Sequence, residues 1–144
     1  MILFPTPDQT IIGGPQILMD RLRRSLAAKN VPEETIESVV AAYTAYGELT
    51  GIGNLLPLAQ AVHETGWFRS DRWVISQNPA GLGATDDGAW GNVFDTPAAG
   101  ILAQYAHLLA YALPNKKGSA GSHPARHSKT ECFTRVIGFT SDKH

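Results

Sequence analysis

The sequence predicts a mainly α-helical fold in which one small β-hairpin closes a cleft. Four segments carry apolar residues three or four positions apart and are bounded by the proline, acidic or glycine residues typical of helix ends. Between the last two lies a long segment, residues 67–94, with all three tryptophans of the 144-residue chain. Loops of this length inside a compact domain usually serve function. We therefore expect residues 1–114 to form one domain whose functional groups lie around this loop.

The first half of the chain contains two predicted helices. Pro15 opens the first, which runs to about Lys29, because proline is favoured in a first turn. Its expected buried stripe is Leu18, Leu22 and Leu26. The second begins at residues 30–34, where two acidic residues suit the positive end of the helix dipole, and it ends at Gly47 or Gly51. Its expected buried residues are Ile36, Val39, Val40, Tyr43 and Tyr46.

Two further helices flank the long segment. The third is predicted from Asn54 to Gly66, and the fourth from Asp95 to Pro114, which stops it. Their expected buried residues are Leu58, Ala61, Val62 and Thr65 in the third helix and Ile101, Tyr105, Leu108 and Ala112 in the fourth. Residues 82–93 place an Asp-Gly turn between two short candidate strands, which predicts the hairpin.

Charge and composition exclude several classes of protein. The net charge of -1 provides no field that would attract nucleic acid. Residues 115–144 are basic and poor in large apolar side chains up to Lys129, so we expect a partly flexible or atypical tail. The longest apolar stretch, residues 101–113, is shorter than the roughly 20 residues of a membrane span. No signal peptide is visible at residues 1–5, so a protein acting outside a cell would need another export route.

A candidate catalytic residue stands at the end of the third helix, in residues 61–67. There Glu64 lies near a tryptophan and faces a glycine-rich loop, a setting that removes water from a carboxyl group and favours its neutral form. A neutral carboxyl can protonate a leaving oxygen. The competing interpretation is a solvated surface glutamate. The pair His63-Glu64 is also found in zinc proteases, but their second histidine is replaced by Trp67, so no metal or other cofactor is expected.

Four blocks of sequence carry a resemblance to a known family. They are residues 58–67, residues 76–82, residues 93–101 and residues 106–109. In this order they resemble the peptidoglycan glucosaminidases of the lysozyme-like superfamily, which cleave cell-wall glycan next to N-acetylglucosamine. The resemblance covers about residues 55–113. It implies a lysozyme-like helical domain with a hairpin lobe over a glycan cleft, Glu64 as general acid, and peptidoglycan strands as the partner.

The resemblance also implies residues that line the cleft. Residues 76–82 are similar to the family's Asn-x-x-Gly-Ile/Leu stretch, which makes Asn78 and Gly81 candidates for substrate binding. Ala80 stands where family members usually have an aromatic residue, so one wall of the sugar site is expected to be thinner.

A glycosidase ordinarily needs a second group near the anomeric carbon, either a base about 6.5–9.5 Å from the acid or a nucleophile at about 5–5.5 Å. Asp86 and Asp87, on the predicted hairpin turn, are the candidates, whereas Asp95 is expected to cap the fourth helix. The N-acetyl oxygen of the substrate is a third possibility. The stereochemistry of cleavage stays open.

Aromatic residues of the long loop are the expected sugar contacts, because the C–H face of a pyranose packs well on an aromatic ring. Trp90 and Phe94 are the predicted contacts, whereas Trp67 and Trp73 are expected to fill the core. Three functions therefore remain: a hydrolase acting on the cell wall, such as a phage endolysin; a lytic transglycosylase; and a non-catalytic glycan-binding domain.

Overall fold

The computed structural model describes residues 12–14, 16–84 and 91–112, which form five α-helices. They are α1 (Met19–Ala28), α2 (Glu33–Thr50), α3 (Leu55–Thr65), α4 (Asp71–Ser76) and α5 (Pro97–Ala112). The predicted mainly α class is confirmed. Among the described helices, none has both the length and the apolar character needed to cross a membrane. The predicted basic tail, residues 115–144, lies outside the described residues.

Helix boundaries follow the sequence signals, with one error at the start of α1. Gly51 and Gly66 end α2 and α3 in left-handed conformations, at φ 72° and 56°. Such conformations strain residues with a Cβ, which is why glycine marks these ends. The first helix, however, begins at Met19, and Leu18 precedes it in an extended conformation. Its side chain therefore leaves the buried stripe and is 78% exposed, contrary to the prediction.

The core lies mainly between α2 and α5. Tyr43 of α2 and Tyr105 of α5 are fully buried, with ring centroids 5.8 Å apart. At the centre, Gln104 is 1% exposed. Its Oε1 accepts a hydrogen bond from the Tyr43 hydroxyl (2.7 Å), and its Nε2 donates to the Pro57 carbonyl and to Gln60 Oε1 in α3 (both 2.9 Å). One buried amide therefore connects three helices.

Helix α4 occurs inside the segment that the sequence predicts as a loop. Ser70 caps it, because its hydroxyl oxygen accepts a hydrogen bond from the Trp73 amide. Trp73 is 4% exposed and packs edge-to-face on Phe68, with centroids 5.0 Å apart. The predicted role of Trp73 in the core is confirmed, and Trp67 is half-buried against the same cluster.

The predicted hairpin is not seen in the described residues. Its two flanks do meet, since the Asn92 amide donates to the Leu82 carbonyl at 2.8 Å. However, Gly81, Gly83 and Gly91 have φ of 61°, 75° and 81°, which an extended strand does not contain. These left-handed glycines therefore prevent the flanks from forming a ladder. The turn itself, with Asp86 and Asp87, lies outside the described residues.

The two buried tyrosines make the stability of the fold sensitive to alkaline pH. Burial raises the pKa of Tyr43, with a smaller contribution from Tyr105, and burial also raises the pKa of Tyr105. In the unfolded chain both titrate near pH 10. Their stabilising contribution is complete below that pH and is lost above it, because the unfolded state then releases protons that the folded state retains.

We therefore expect the free energy of unfolding, measured by urea titration, to fall above about pH 10 by up to about 1.4 kcal/mol per pH unit for each tyrosine. Tyr105→Phe removes one of the two titrating hydroxyl groups. The decrease of the free energy of unfolding with pH should therefore be about half as steep. A variant with the full parent slope would contradict this assignment.

Candidate functional site

Glu64 lies in the last turn of α3 with its side chain exposed to solvent. The next residue, Thr65, is 1% exposed and points into the core. The expected desolvation by a neighbouring tryptophan is not present. Trp67 instead packs against the core, with Lys29 Nζ 5.2 Å from the centre of its ring. The setting predicted for Glu64 was therefore wrong in this respect.

The chain reverses after Glu64 through a left-handed turn. Gly66, Trp67 and Phe68 have φ of 56°, 62° and 57°, and for Trp67 and Phe68 this conformation costs about 1–2 kcal/mol per residue. Burial of the Phe68 ring, which is 2% exposed, offsets the strain. So does the Thr65 hydroxyl, which accepts from the Phe68 amide at 2.8 Å and donates to the Ala61 carbonyl. The turn fixes the end of α3 and thus the position of Glu64.

Asn78 organises the loop opposite Glu64. Its Nδ2 donates to the carbonyls of Leu82 (2.9 Å) and Asn92 (3.0 Å), and its Oδ1 accepts from the amides of Leu82 (2.9 Å) and Ala80 (3.4 Å). Asn78 is 5% exposed. Because both N–H bonds of its amide serve the protein backbone, the predicted substrate contact at Asn78 would need other atoms of this residue.

Gly81 is the loop residue that faces Glu64. A Cβ built on Gly81 would lie 3.8 Å from Glu64 Oε2. The structure therefore brings together two of the predicted site residues, and the Asn78 bonds on both sides of Gly81 determine where it lies. The absence of a side chain at Gly81 leaves the carboxylate open on that side.

A close contact joins this loop to α5. A Cβ built on Gly100 would overlap the carbonyl oxygen of Gln77, so only glycine fits at this point of the helix. The amide of Phe94 also donates to the Ser76 carbonyl at 2.9 Å. The segment leading into α5 and the loop that faces Glu64 are thus packed as one unit.

The other predicted site residues are only partly described. Asp86, Asp87 and Trp90 lie outside the described residues, and Phe94 is half-buried. Asp95 does not cap α5 as expected, because the Thr96 hydroxyl accepts the hydrogen bond from the Ala99 amide (3.1 Å). The threonine is one residue closer to the first turn and has the required geometry.

Two comparisons give no further guidance. Neither protein-family models nor curated proteins gave a match to this chain. Within residues 12–14, 16–84 and 91–112, no three His, Cys, Asp or Glu side chains cluster in a way that could hold a metal ion. Glu64 and its surroundings are therefore the candidate site.

Gly100→Ala should destabilise the protein, because the added methyl group collides with backbone rather than with a flexible side chain. We expect a loss of about 1–3 kcal/mol, the range of overpacked sites. The matched control is Gly47→Ala in α2, whose Cβ would lie 3.4 Å from the Tyr105 hydroxyl oxygen, an ordinary contact. The control should be neutral or stabilising by up to about 1 kcal/mol through helix propensity. Equal urea midpoints for the two variants would contradict the close contact.

Asn78→Ala should loosen the loop, because it removes the side chain that bonds the backbone at Ala80, Leu82 and Asn92. Four bonds are lost and each contributes about 0.5–1.5 kcal/mol, so we expect a total loss of about 2–6 kcal/mol. Hydrogen exchange at the Leu82 amide should accelerate more than exchange at Tyr105 in the core. Uniform acceleration would indicate global destabilisation instead. Asn78→Asp places a buried carboxyl oxygen against the Leu82 and Asn92 carbonyl oxygens, so at neutral pH it should destabilise the protein at least as much as Asn78→Ala.

Proposed function

We propose that the protein is a peptidoglycan hydrolase that cleaves the β-1,4 bond next to N-acetylglucosamine, with Glu64 as the general acid. The proposal includes a lysozyme-like arrangement in which the loop around residues 78–94 forms one wall of a glycan cleft. It is based on the sequence resemblance over residues 55–113, on which the identity of the substrate depends entirely.

One structural observation supports the proposal most directly, namely the approach of Gly81 to Glu64. An exposed carboxylate at the end of a helix is common, but here it faces a glycine in a loop held by buried hydrogen bonds. This leaves an open side for a polymer next to the carboxyl group. Hydrogen bonds hold both the end of α3 and this loop, which suits a positioned acid because small displacements of a catalytic group are costly.

In the proposed reaction Glu64 donates a proton to the glycosidic oxygen while the bond to the anomeric carbon breaks. One water molecule is consumed, because its oxygen finally bonds to the anomeric carbon as a hydroxyl group and its other proton replaces the one that Glu64 gave. Because Glu64 is solvent-exposed in the free protein, the bound glycan itself must exclude water from the carboxyl group. The second function falls to Asp86, to Asp87 or to the N-acetyl oxygen of the substrate. Trp90 and Phe94 supply the proposed stacking surfaces for sugar rings.

Glu64→Gln keeps the shape of the side chain and removes its transferable proton. Release of fragments from purified peptidoglycan should fall by at least the roughly 10²–10⁴-fold that general acid catalysis supplies. The melting temperature should change little, since the residue is exposed.

The matched control is Glu48→Gln, an exposed glutamate of α2, which should retain parent activity. Unchanged lysis by a folded Glu64→Gln protein would exclude the catalytic role.

Mass spectrometry of the released fragments identifies the reaction. Reducing ends at N-acetylglucosamine are expected. Anhydro-muramic ends would identify a lytic transglycosylase, and binding to cell walls without any fragments would identify a non-catalytic glycan-binding domain.

A further inference from the structure

Gln60 lies on α3 one helical turn before Glu64 and on the same side of the helix. Residues four positions apart on a helix have Cβ atoms about 5–6 Å from each other. Gln60 is half-buried, because one end of its side-chain amide meets Gln104 in the core. An uncharged amide group therefore stands next to the exposed carboxyl group of the candidate site.

The core determines which end of the Gln60 amide points outward. The Pro57 carbonyl can only accept a hydrogen bond, so the Gln104 group that meets it at 2.9 Å must be the Nε2 donor. The same Nε2 lies 2.9 Å from the Gln60 side chain and needs an acceptor there for its second N–H, which must be Oε1. One backbone carbonyl of α3 therefore fixes the orientation of both amides.

The Nε2 group of Gln60 is the end of this chain of hydrogen bonds. Within the part of the protein that the structure describes, it has no hydrogen-bond partner, and it is not a buried atom, so its N–H bonds face solvent. Since Oε1 is held in the core, the amide offers donors to a ligand from a fixed position, which limits the rotational freedom lost on binding. A carbonyl oxygen suits this site, because it only accepts, whereas a hydroxyl group also donates.

We propose that Gln60 is a substrate-binding residue whose Nε2 donates a hydrogen bond to the acetamido carbonyl oxygen of a sugar at the bond that Glu64 protonates. The identity of the ligand as an N-acetylated glycan rests on the proposed function. In such a sugar the acetamido group is attached to the carbon beside the anomeric carbon. An amide and a carboxyl group one helical turn apart can therefore contact the acetamido group and the glycosidic oxygen of the same sugar.

The test measures binding of two soluble tetrasaccharides to the full ¹⁵N-labelled chain carrying Glu64→Gln, which under the proposed function prevents turnover. One is the β-1,4 tetramer of N-acetylglucosamine. The other is the β-1,4 tetramer of glucose, which has a hydroxyl group in place of each acetamido group. Titration to about 20 mM covers dissociation constants in the millimolar range. The acetylated tetramer should bind at least about fivefold more tightly, and at equal saturation it should shift the side-chain N–H signals of Gln60 further.

Two variants remove the outward N–H bonds in different ways. Gln60→Met has a similar shape and no donor, whereas Gln60→Glu keeps an oxygen for Gln104 and has a second oxygen in place of Nε2. Either change should lower the affinity for the acetylated tetramer about fivefold or more and should not weaken binding of the glucose tetramer. Because Gln60→Glu retains the bond to the core, it decides the test if Gln60→Met does not fold.

The matched control is Tyr43→Phe, which removes the hydrogen bond on the other side of Gln104 and leaves Gln60 Nε2 in place. It should lower the melting temperature and retain the preference for the acetylated tetramer, because the outward N–H bonds remain. Three results would overturn the proposal: no preference or no binding in the Glu64→Gln protein, an unchanged preference in a folded Gln60 variant, or an equal loss of affinity for both tetramers.

This outcome is separable from that of the proposed function, which is tested by cleavage of peptidoglycan by the parent protein and its loss in Glu64→Gln. Selectivity that depends on Gln60, without cleavage by the parent, would support the binding role and remove the hydrolase. Cleavage that depends on Glu64, without selectivity that depends on Gln60, would remove the role of Gln60 only.

Discussion

Helix α5 determines the arrangement of the whole structure, because Gln104 in its middle is buried and must satisfy its amide inside the core. The groups within reach are the Tyr43 hydroxyl of α2 and, in α3, the Pro57 backbone carbonyl and the Gln60 side-chain oxygen Oε1. Leaving such an amide unpaired would cost more than most single contacts contribute. A rotation of α5 would break these bonds together. The network therefore selects one packing among those that a purely apolar interface would tolerate.

Contacts of the same helix also position the residues of the candidate site. Near the N-terminal end of α5, Gly100 lies against the Gln77 carbonyl. Asn78, which follows Gln77, forms hydrogen bonds with the backbone of the loop that contains Gly81. On the other side, α3 is connected to Gln104 and ends at Glu64 and the left-handed turn. Glu64 and Gly81 are thus positioned by two routes that both begin in α5. The packing of the core therefore determines the distance between Glu64 and Gly81, although the two residues themselves lie at the surface.

Much of this architecture could be predicted from local signals. Helix ends at Gly51 and Gly66 follow from their left-handed backbone, which few other residues adopt without strain. Helix α4 could not be recognised from periodicity, because six residues are too few to show it, although Ser70 followed by Asp71 is an N-terminal cap signal. The role of Gln104 was also hidden. In sequence it only interrupts an apolar stretch, and its partners are 44 to 61 residues away.

The exposure of Glu64 shows where sequence reasoning about a site reaches its limit. Proximity along the chain suggested that Trp67 would shield the carboxyl group, yet three successive left-handed residues direct that ring into the core. What the tryptophan supplies is anchorage of the turn, not desolvation. In the proposed reaction the bound glycan then completes the surroundings of Glu64, and the absence of a side chain at Gly81 leaves space for it. An ordered scaffold behind an open carboxylate is consistent with a polymer substrate, because a long chain has to enter from the side and can exclude the water itself.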